Sequence, residues 1–191
     1  VIDQVGASLQ GKWKVGQRVH LGANYLFGDW SNWNGVWSEY VVCPDNALIP
    51  LPDGIDDDVA AQFVVNPLTA LAMVKEFGLG PGKILMQTAA ASVLGKLMIQ
   101  LSRIYDFDTV NIVRRQESAD ELKNELGIDS VYVYDGSSDS LDKMKAAIAV
   151  DFPGRNIDFC IESGVAHFWI SFTTVGTDCY LCYGLCECAY Q

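Results

Sequence analysis

The chain has 191 residues, 50% of them hydrophobic and 19% charged, which excludes a disordered chain and suits one domain or one domain with part of another. Its 13 basic and 24 acidic side chains give a net charge of −11, so nucleic acid and anionic membranes are poor partners. No apolar run approaches the roughly 20 residues that cross a bilayer. We expect a soluble intracellular protein, either cytoplasmic or mitochondrial, because the sequence also starts without a signal-peptide pattern.

The first part of the chain is predicted to be β-rich. Residues 16–21, 36–42 and 47–49 are rich in strand-forming side chains and are separated by turn residues. Pro and Gly punctuate residues 51–54, and three aspartates then open an apolar helix that we expect to reach Phe77, interrupted or bent near Pro67. We therefore predict a partial β-rich domain over residues 1–54 and a second domain over residues 55–191.

From Gly80 onward, short apolar runs alternate with amphipathic helices, the pattern of a parallel sheet with crossover helices. The predicted fold class is α/β, a doubly wound parallel sheet of the Rossmann type. The predicted strands cover residues 83–87, 109–113, 130–133, 157–161 and 178–183. The predicted helices cover residues 92–105, 118–126 and 138–150. Right-handed crossovers place the carboxyl ends of all these strands at one edge, where such sheets bind ligands.

The turn after the first strand of this sheet is a candidate phosphate-binding turn. Ala90, Ser92 and Gly95 stand where a dinucleotide fold carries the three glycines of G-x-G-x-x-G. Alanine and serine still let a backbone approach a pyrophosphate, and the helix that opens with Ser92, Val93 and Leu94 would direct its free N–H groups at it. The alternative is a tight packing turn that binds nothing.

The second strand of the sheet ends in Arg114 and Arg115. An NAD site carries an acidic residue here for the ribose hydroxyls, whereas a guanidinium pairs with the 2′-phosphate of NADP. Basic residues in place of the acidic one therefore predict NADPH as the cofactor. Two solvated surface arginines are the alternative.

Four cysteines crowd the end of the chain: Cys179, Cys182, Cys186 and Cys188. Cys-x-x-Cys can bind zinc, but zinc sites place a second such pair on turns, and this run is apolar and strand-like. We expect small buried hydrophobic residues here and no metal site.

Several segments together resemble the medium-chain dehydrogenase/reductase superfamily, in its zinc-free quinone oxidoreductase and enoyl-thioester reductase branches. The sequence KVGQRV at residues 14–19 is similar to the family's KVGDRV, and GVWSEYV at 35–41 to its G-x-W-A-E-Y. VNPLTA at 65–70 resembles V-N-P-x-T-A, and residues 87–95 contain the A-A-x-S-x-x-G turn. LGIDSVYVY at 126–134 is similar to L-G-A-D-x-V-I-N-Y.

The resemblance implies roles for the matching positions. Asn66, the candidate catalytic residue, and Thr69 would lie near the nicotinamide, with residues 92–95 on the pyrophosphate. Arg114 and Arg115 would hold the 2′-phosphate, and Tyr134 would lie near the adenine. A helix cap before Pro67 is the alternative role for Asn66. The family's β-rich part is a GroES-like catalytic domain, which implies that residues 1–54 are a portion of one.

The resemblance also implies an enzyme: an NADPH-dependent, zinc-independent reductase that transfers hydride to a quinone, an enone or an enoyl thioester. Zinc-dependent relatives place a cysteine or acid about where Asn66 stands, and a neutral amide is a poor zinc ligand. A homodimer is implied as well. The family extends beyond both ends of this chain, so we expect a fragment or shortened form, and a cofactor-binding protein without turnover or an inactive product remain alternatives.

Overall fold

The computed structural model of the protein describes residues 1–22 and 37–163, together with the backbone of the strand Cys182–Tyr183. The chain divides into two compact units, Val1–Leu68 and Thr69–Gln191. From the sequence we predicted a domain boundary after residue 54. The assignment of the two parts to a GroES-like domain and a dinucleotide-binding domain stays a prediction. Among the described residues, no helix combines the length and apolar character needed to cross a membrane.

The first unit contains a two-stranded antiparallel sheet. Strand β1, Val19–Leu21, pairs with β2, Leu48–Pro50, so that His20 lies opposite Ile49. Helix α1, Asp57–Gln62, has acidic residues in its first turn, as the predicted helix start required. The predicted break near Pro67 is confirmed, since α1 ends at Gln62 and helix α2, Asn66–Glu76, begins one residue before the proline.

The strand predicted over residues 36–42 is wrong for its described part, because residues 37–42 form bends and irregular structure. The strand predicted over residues 16–21 is shorter than expected, and Gly16 lies in the left-handed region with a φ of 83°. Strand-forming composition expresses only a tendency, and a strand needs a neighbouring strand to receive its backbone hydrogen bonds. Within the described residues, β1 pairs with β2 alone.

The second unit is built on a parallel five-stranded sheet with the order β5-β4-β3-β6-β7. The strands are β3 Ile84–Gln87, β4 Asp108–Val113, β5 Val131–Val133, β6 Phe159–Ile161 and β7 Cys182–Tyr183. The crossover helices are α3 Val93–Tyr105, α4 Gln116–Leu126 and α5 Ser138–Asp151. This is the Rossmann-type fold that the sequence predicted. The strand order reverses between β3 and β6, and the switch point of the sheet therefore lies at their carboxyl ends.

Apolar side chains cover both faces of this sheet. On one face, Met144 and Ile148 of α5 pack against alternate residues of the strands, including Met86 and Ile112. On the other face, Met98 of α3 packs with Leu85, and the neighbouring cluster joins α3 to α4. Each fully buried aliphatic side chain stabilises the fold by about 1.5–3 kcal/mol, so these two layers fix the strand ends that carry the candidate site.

Local capping sets where the helices begin and end. Ser92 caps α3, and Ser137 caps α5 by accepting a hydrogen bond from the Ser140 N–H at 3.2 Å. Asp106 caps the carboxyl end of α3 and Gly127 that of α4, and both of these residues adopt the left-handed conformation.

Candidate functional site

The segment between β3 and α3 is bonded to both strands beside β3. The N–H of Thr88 donates to the carbonyl of Ile161 on β6 at 3.0 Å, and the N–H of Ala90 donates to Ile112 on β4 at 3.2 Å. Ala89, between them, has a φ of 50°, in the region that favours glycine. The turn is therefore a tight structure built at the carboxyl edge of the sheet.

Gly95 lets α3 approach this turn closely. A Cβ atom at position 95 would lie 2.4 Å from the carbonyl oxygen of Ala90, nearer than non-bonded atoms come. Ala90 itself is fully buried. The last glycine of a dinucleotide fingerprint has this packing function, and the structure shows that Gly95 meets the same steric requirement.

The first turn of α3 leaves backbone donors for a ligand. The Ser92 hydroxyl accepts from the Gly95 N–H at 3.1 Å, and the Ser92 carbonyl accepts from the backbone N–H of Lys96 at 2.9 Å. The N–H groups of Val93 and Leu94 precede the intrahelical bonds, and none of the described residues accepts from them. Together with the helix dipole, they form a fixed positive end that suits an anion.

A depression of about 540 Å³ lies beside this turn, between the carboxyl ends of β3, β4 and β5. Its lining joins the turn to the start of α4 and to the end of β5. The lining residues are Ala89, Ala91, Ser92, Val113, Arg114, Arg115, Ser118 and Asp135. The structure thus brings predicted site residues together, since Ser92, Arg114 and Arg115 all line the depression, and both arginines are exposed.

Asp135 places a carboxylate in the same lining. Its Oδ1 accepts from the Ser140 hydroxyl at 2.7 Å and from the Ser137 N–H at 2.9 Å. These hydrogen bonds, first that of Ser140 and then that of Ser137, lower the pKa of Asp135 to about 2. The depression therefore carries two cationic side chains and one carboxylate that stays ionised at neutral pH.

Other predicted site residues lie outside this lining. Leu94 packs into the apolar cluster between α3 and the sheet, and the half-buried Tyr134 packs against the cluster under α5. Asn66 and Thr69 lie in the first turn of α2, where Asn66 is half-buried and Thr69 exposed. Nothing in these placements tests the roles that the sequence assigned, and those roles stay predictions.

The sequence interpretation missed several polar residues at this edge of the sheet. Ser118 and Asp135 line the depression, and each follows the carboxyl end of a strand by a few residues. Gln87 and Asn111 are buried beneath the turn. Amide side chains in otherwise apolar strands were the sequence signal that could have pointed to Gln87 and Asn111. Their hydrogen bond to each other becomes visible only once the register of β3 and β4 is known.

No group of three or more candidate metal ligands occurs within residues 1–22 and 37–163. The four cysteines at the end of the chain lie outside the described residues, apart from the backbone of Cys182. Zinc independence and the burial of these cysteines are therefore untested.

The fold defines the chain as a Rossmann-type α/β protein with a tight turn of small residues after the first strand of its parallel sheet. A mitochondrial enoyl-acyl-carrier-protein reductase from Arabidopsis thaliana is 33% identical over 129 residues, which cover 62% of this chain and 34% of that protein. A quinone oxidoreductase from Thermus thermophilus, whose structures include an NADPH complex, matches with a TM-score of 0.53 at 27% identity, over 70% of this chain and 41% of that one.

A candidate NADPH:quinone reductase from Mesorhizobium loti matches with a TM-score of 0.60 at 30% identity, over 80% of this chain and 41% of that one. No family model matches the sequence. These likenesses confirm the resemblance to the medium-chain dehydrogenase/reductase superfamily, in its quinone oxidoreductase and enoyl-thioester reductase branches. The chain spans about a third of the length of the Arabidopsis relative.

Proposed function

We propose that this chain is the cofactor-binding part of an NADPH-dependent reductase, which transfers hydride to a quinone or to a C=C conjugated with a carbonyl and does not use zinc. The observation that carries the proposal is the shared depression, where the Ser92 turn and the paired arginines Arg114 and Arg115 meet. The names of the relatives support the same class of reaction, since they are reductases of enoyl thioesters and quinones.

The turn fits a pyrophosphate. The side chains that face the depression from it are small, those of Ala89, Ala91 and Ser92, so a ligand backbone can approach closely. The open N–H groups of Val93 and Leu94 provide donors at the positive end of α3. The close contact of Gly95 with Ala90 holds these donors against the strand end.

The end of β4 fits a ribose 2′-phosphate. Arg114 and Arg115 follow Val113, the position from which a dinucleotide fold reaches the adenosine ribose. Ser118 adds a hydroxyl from the first turn of α4, whose amino end also favours an anion. Charge-assisted bonds from two guanidinium groups would favour NADPH over NADH.

The bound cofactor would supply the hydride, and the protein would fix its geometry and exclude water. The nicotinamide end of the site is assigned to Asn66 and Thr69 from the resemblance alone. The proton donor for the acceptor carbon is unassigned. The compartment is proposed to be intracellular, because the enoyl reductase relatives are mitochondrial proteins; homodimer formation is a further proposal from the family.

Turnover by this chain is a separate question from cofactor binding, because the chain spans about a third of the Arabidopsis relative. A nucleotide cleft without a complete substrate pocket binds cofactor and does not react. A cofactor-binding protein without turnover is therefore the second candidate function. Turnover is assayed separately, with an enoyl thioester and with a quinone as acceptors.

The proposal is tested by titrating the purified chain with NADPH and NADH while following cofactor fluorescence and thermal stability. A ligand that binds only the folded chain raises the melting temperature. We expect a preference for NADPH, and we expect Arg114→Ala with Arg115→Ala to reduce that preference by at least about tenfold, since hydrogen bonds to charged groups contribute about 1.5–3 kcal/mol.

The matched control removes two positive charges from the same unit but away from the depression, as Lys123→Ala with Lys145→Ala. Neither lysine lines the depression, so the NADPH preference should be kept. A folded chain that binds neither cofactor, or a control that loses the preference as fully as the arginine variant, would contradict the proposal.

A further inference from the structure

Two amide side chains lie buried at the centre of the parallel sheet. Gln87 is 1% exposed and Asn111 is fully buried, and the register of β3 and β4 sets them side by side. Their neighbours along the two strands are mostly apolar and buried. A buried amide is costly unless its polar atoms are bonded, so this pair needs a reason beyond packing.

The pair forms a chain of hydrogen bonds that crosses the sheet. Nε2 of Gln87 donates to the carbonyl of Gly95 at 3.0 Å and to Oδ1 of Asn111 at 2.7 Å. Nδ2 of Asn111 then donates to the Thr109 hydroxyl at 2.9 Å and to the carbonyl of Ser130 at 3.0 Å. Each NH₂ group thus uses both of its donors inside the protein.

Backbone carbonyls fix the orientation of both amides. The Gly95 carbonyl only accepts, which requires Nε2 of Gln87 to face it, and this requires Oδ1 of Asn111 to face Gln87. The Ser130 carbonyl accepts from Nδ2 of Asn111 and imposes the same orientation from the other side. The hydrogen bonds therefore leave a single consistent orientation for both amides along the path from Ser130, the residue before β5, through β4 and β3 to α3.

The end of this chain lies at the candidate pyrophosphate turn. Gly95 belongs to the first turn of α3, the same turn that presents the open N–H groups of Val93 and Leu94. The Gly95 N–H is bonded to the Ser92 hydroxyl and its carbonyl to Gln87, so the peptide groups on both sides of Gly95 are held. Gln87, on β3, thereby fixes the direction in which the N–H groups of the first turn of α3 point.

We propose that Gln87 is a positioning residue for the cofactor pyrophosphate and that Asn111 orients the side-chain amide of Gln87. This inference rests on the proposed NADPH site. Because Gln87 is buried, it acts through its bond to the Gly95 carbonyl: it holds the first turn of α3 so that the Val93 and Leu94 N–H groups converge on the phosphates. Small errors in the placement of binding groups have large effects on the affinity and rate that those groups support.

The test compares two ligands, of which only one has a pyrophosphate. NADPH would occupy the turn and the arginine site, whereas 2′-AMP carries the 2′-phosphate for the arginines and nothing for the turn. Gln87→Met keeps the size of the side chain and removes its donors. We expect the Kd of NADPH to rise on the order of tenfold. The Kd of 2′-AMP should stay within about twofold, because Arg114 and Arg115 are unchanged.

A second variant, Gln87→Met with Asn111→Leu, replaces both amides by apolar groups. Replacing both partners avoids leaving one amide unbonded, so folding should be kept while the selective loss of NADPH affinity remains. Tyr132→Phe is the matched control: it removes a 2.7 Å hydrogen bond to Asp151 elsewhere in the same sheet. The affinities of both ligands should be unchanged in that control.

A measurement on the wild-type chain avoids dependence on folding of the variants. In ¹⁵N NMR spectra, NADPH should shift the side-chain amide signals of Gln87, and 2′-AMP should not. Equal weakening of both ligands in the Gln87 variants, or full NADPH affinity in a folded Gln87→Met chain, would overturn the inference and leave the proposed function standing. A wild-type chain that binds neither ligand would overturn both.

Discussion

Gly95 and Ala90 approach each other so closely that the chain has no room for a side chain at position 95. A Cβ atom there would lie 2.4 Å from the Ala90 carbonyl oxygen and 2.7 Å from its carbonyl carbon and its Cα. All three atoms belong to the backbone, so no side-chain rotation relieves the overlap. The position of α3 on the turn therefore depends on this glycine.

Gly95→Ala should destabilise the second unit and weaken cofactor binding together. Forcing a methyl group into a packed site costs about 1–3 kcal/mol, and here the strain falls on the donors of the candidate pyrophosphate turn. Urea unfolding and an NADPH titration measure the two effects. Gly80→Ala is the control, since a Cβ there would lie 3.8 Å from the Tyr105 carbonyl oxygen, an ordinary contact. Equal stability of the two variants would contradict the steric argument.

Ala89→Gly should leave stability unchanged or raise it slightly. Ala89 has a φ of 50°, a conformation that costs an L-residue about 1–2 kcal/mol, while glycine adds about 0.5–1 kcal/mol of unfolded-state entropy. The same change at Ala91, which is not among the positive-φ residues, should lower stability because only the entropy cost applies. Thermal unfolding of both variants gives the comparison, and a lower melting temperature for Ala89→Gly than for Ala91→Gly would count against it.

The Rossmann-type part of the fold was predictable from the sequence because its signals are local. The strand predicted over residues 83–87 is found at Ile84–Gln87, and the helix predicted over 92–105 at Val93–Tyr105. Apolar runs bounded by a cap or a glycine determine such elements. The strand predicted over residues 36–42 is absent from its described part, residues 37–42, because strand formation also depends on a partner strand, which composition does not reveal.

The sequence singled out part of the lining of the depression, and the binding roles of these residues stay predictions. Ser92, Arg114 and Arg115 follow strand ends at characteristic spacings, and these three line one depression. Asp135 was missed because no spacing rule requires an acidic residue after β5, the third strand of the parallel sheet in chain order. The bond between Gln87 and Asn111 follows from a register of β3 and β4 that the sequence leaves open.

Asp158→Asn should destabilise the second unit at neutral pH and lose this effect in acid. Burial acts to raise the pKa of Asp158, but the bonds from the Lys83 ammonium and the Ile84 N–H, each at 2.8 Å, outweigh it and lower that pKa overall. A carboxyl whose pKa is lower in the folded state stabilises above its unfolded pKa of about 3.9 and loses the contribution as pH falls through the folded value.

The free energy of unfolding should therefore be about 1 kcal/mol lower for Asp158→Asn at neutral pH. The two proteins should converge as pH falls from about 4, near the unfolded-state pKa, through the lower folded-state pKa at which the wild-type carboxyl takes up its proton. Urea unfolding at a series of pH values measures this, with Asp129→Asn as an exposed control of the same charge change. A difference between Asp158→Asn and wild type that persists in acid would mean that the carboxylate charge is not its source.

Asp135 should titrate with a pKa near 2 in the folded chain, because the Ser140 hydroxyl and the Ser137 N–H bond its ionised form. Carboxyl ¹³C NMR across the acid range measures that pKa directly. Ser140→Ala removes the shorter of the two bonds and should raise the pKa of Asp135 toward its ordinary value. The control is Ser138→Ala, in the same helix turn, which removes a hydroxyl that does not hydrogen-bond to Asp135 and should leave the titration unchanged.

Since the lowered pKa keeps Asp135 ionised throughout neutral pH, any fall in NADPH affinity as pH drops through about 6 should come from protonation of the 2′-phosphate beside Arg114 and Arg115. NADH, which lacks that phosphate, should show no such fall, and a fall of equal size for both cofactors would place the titrating group in the protein.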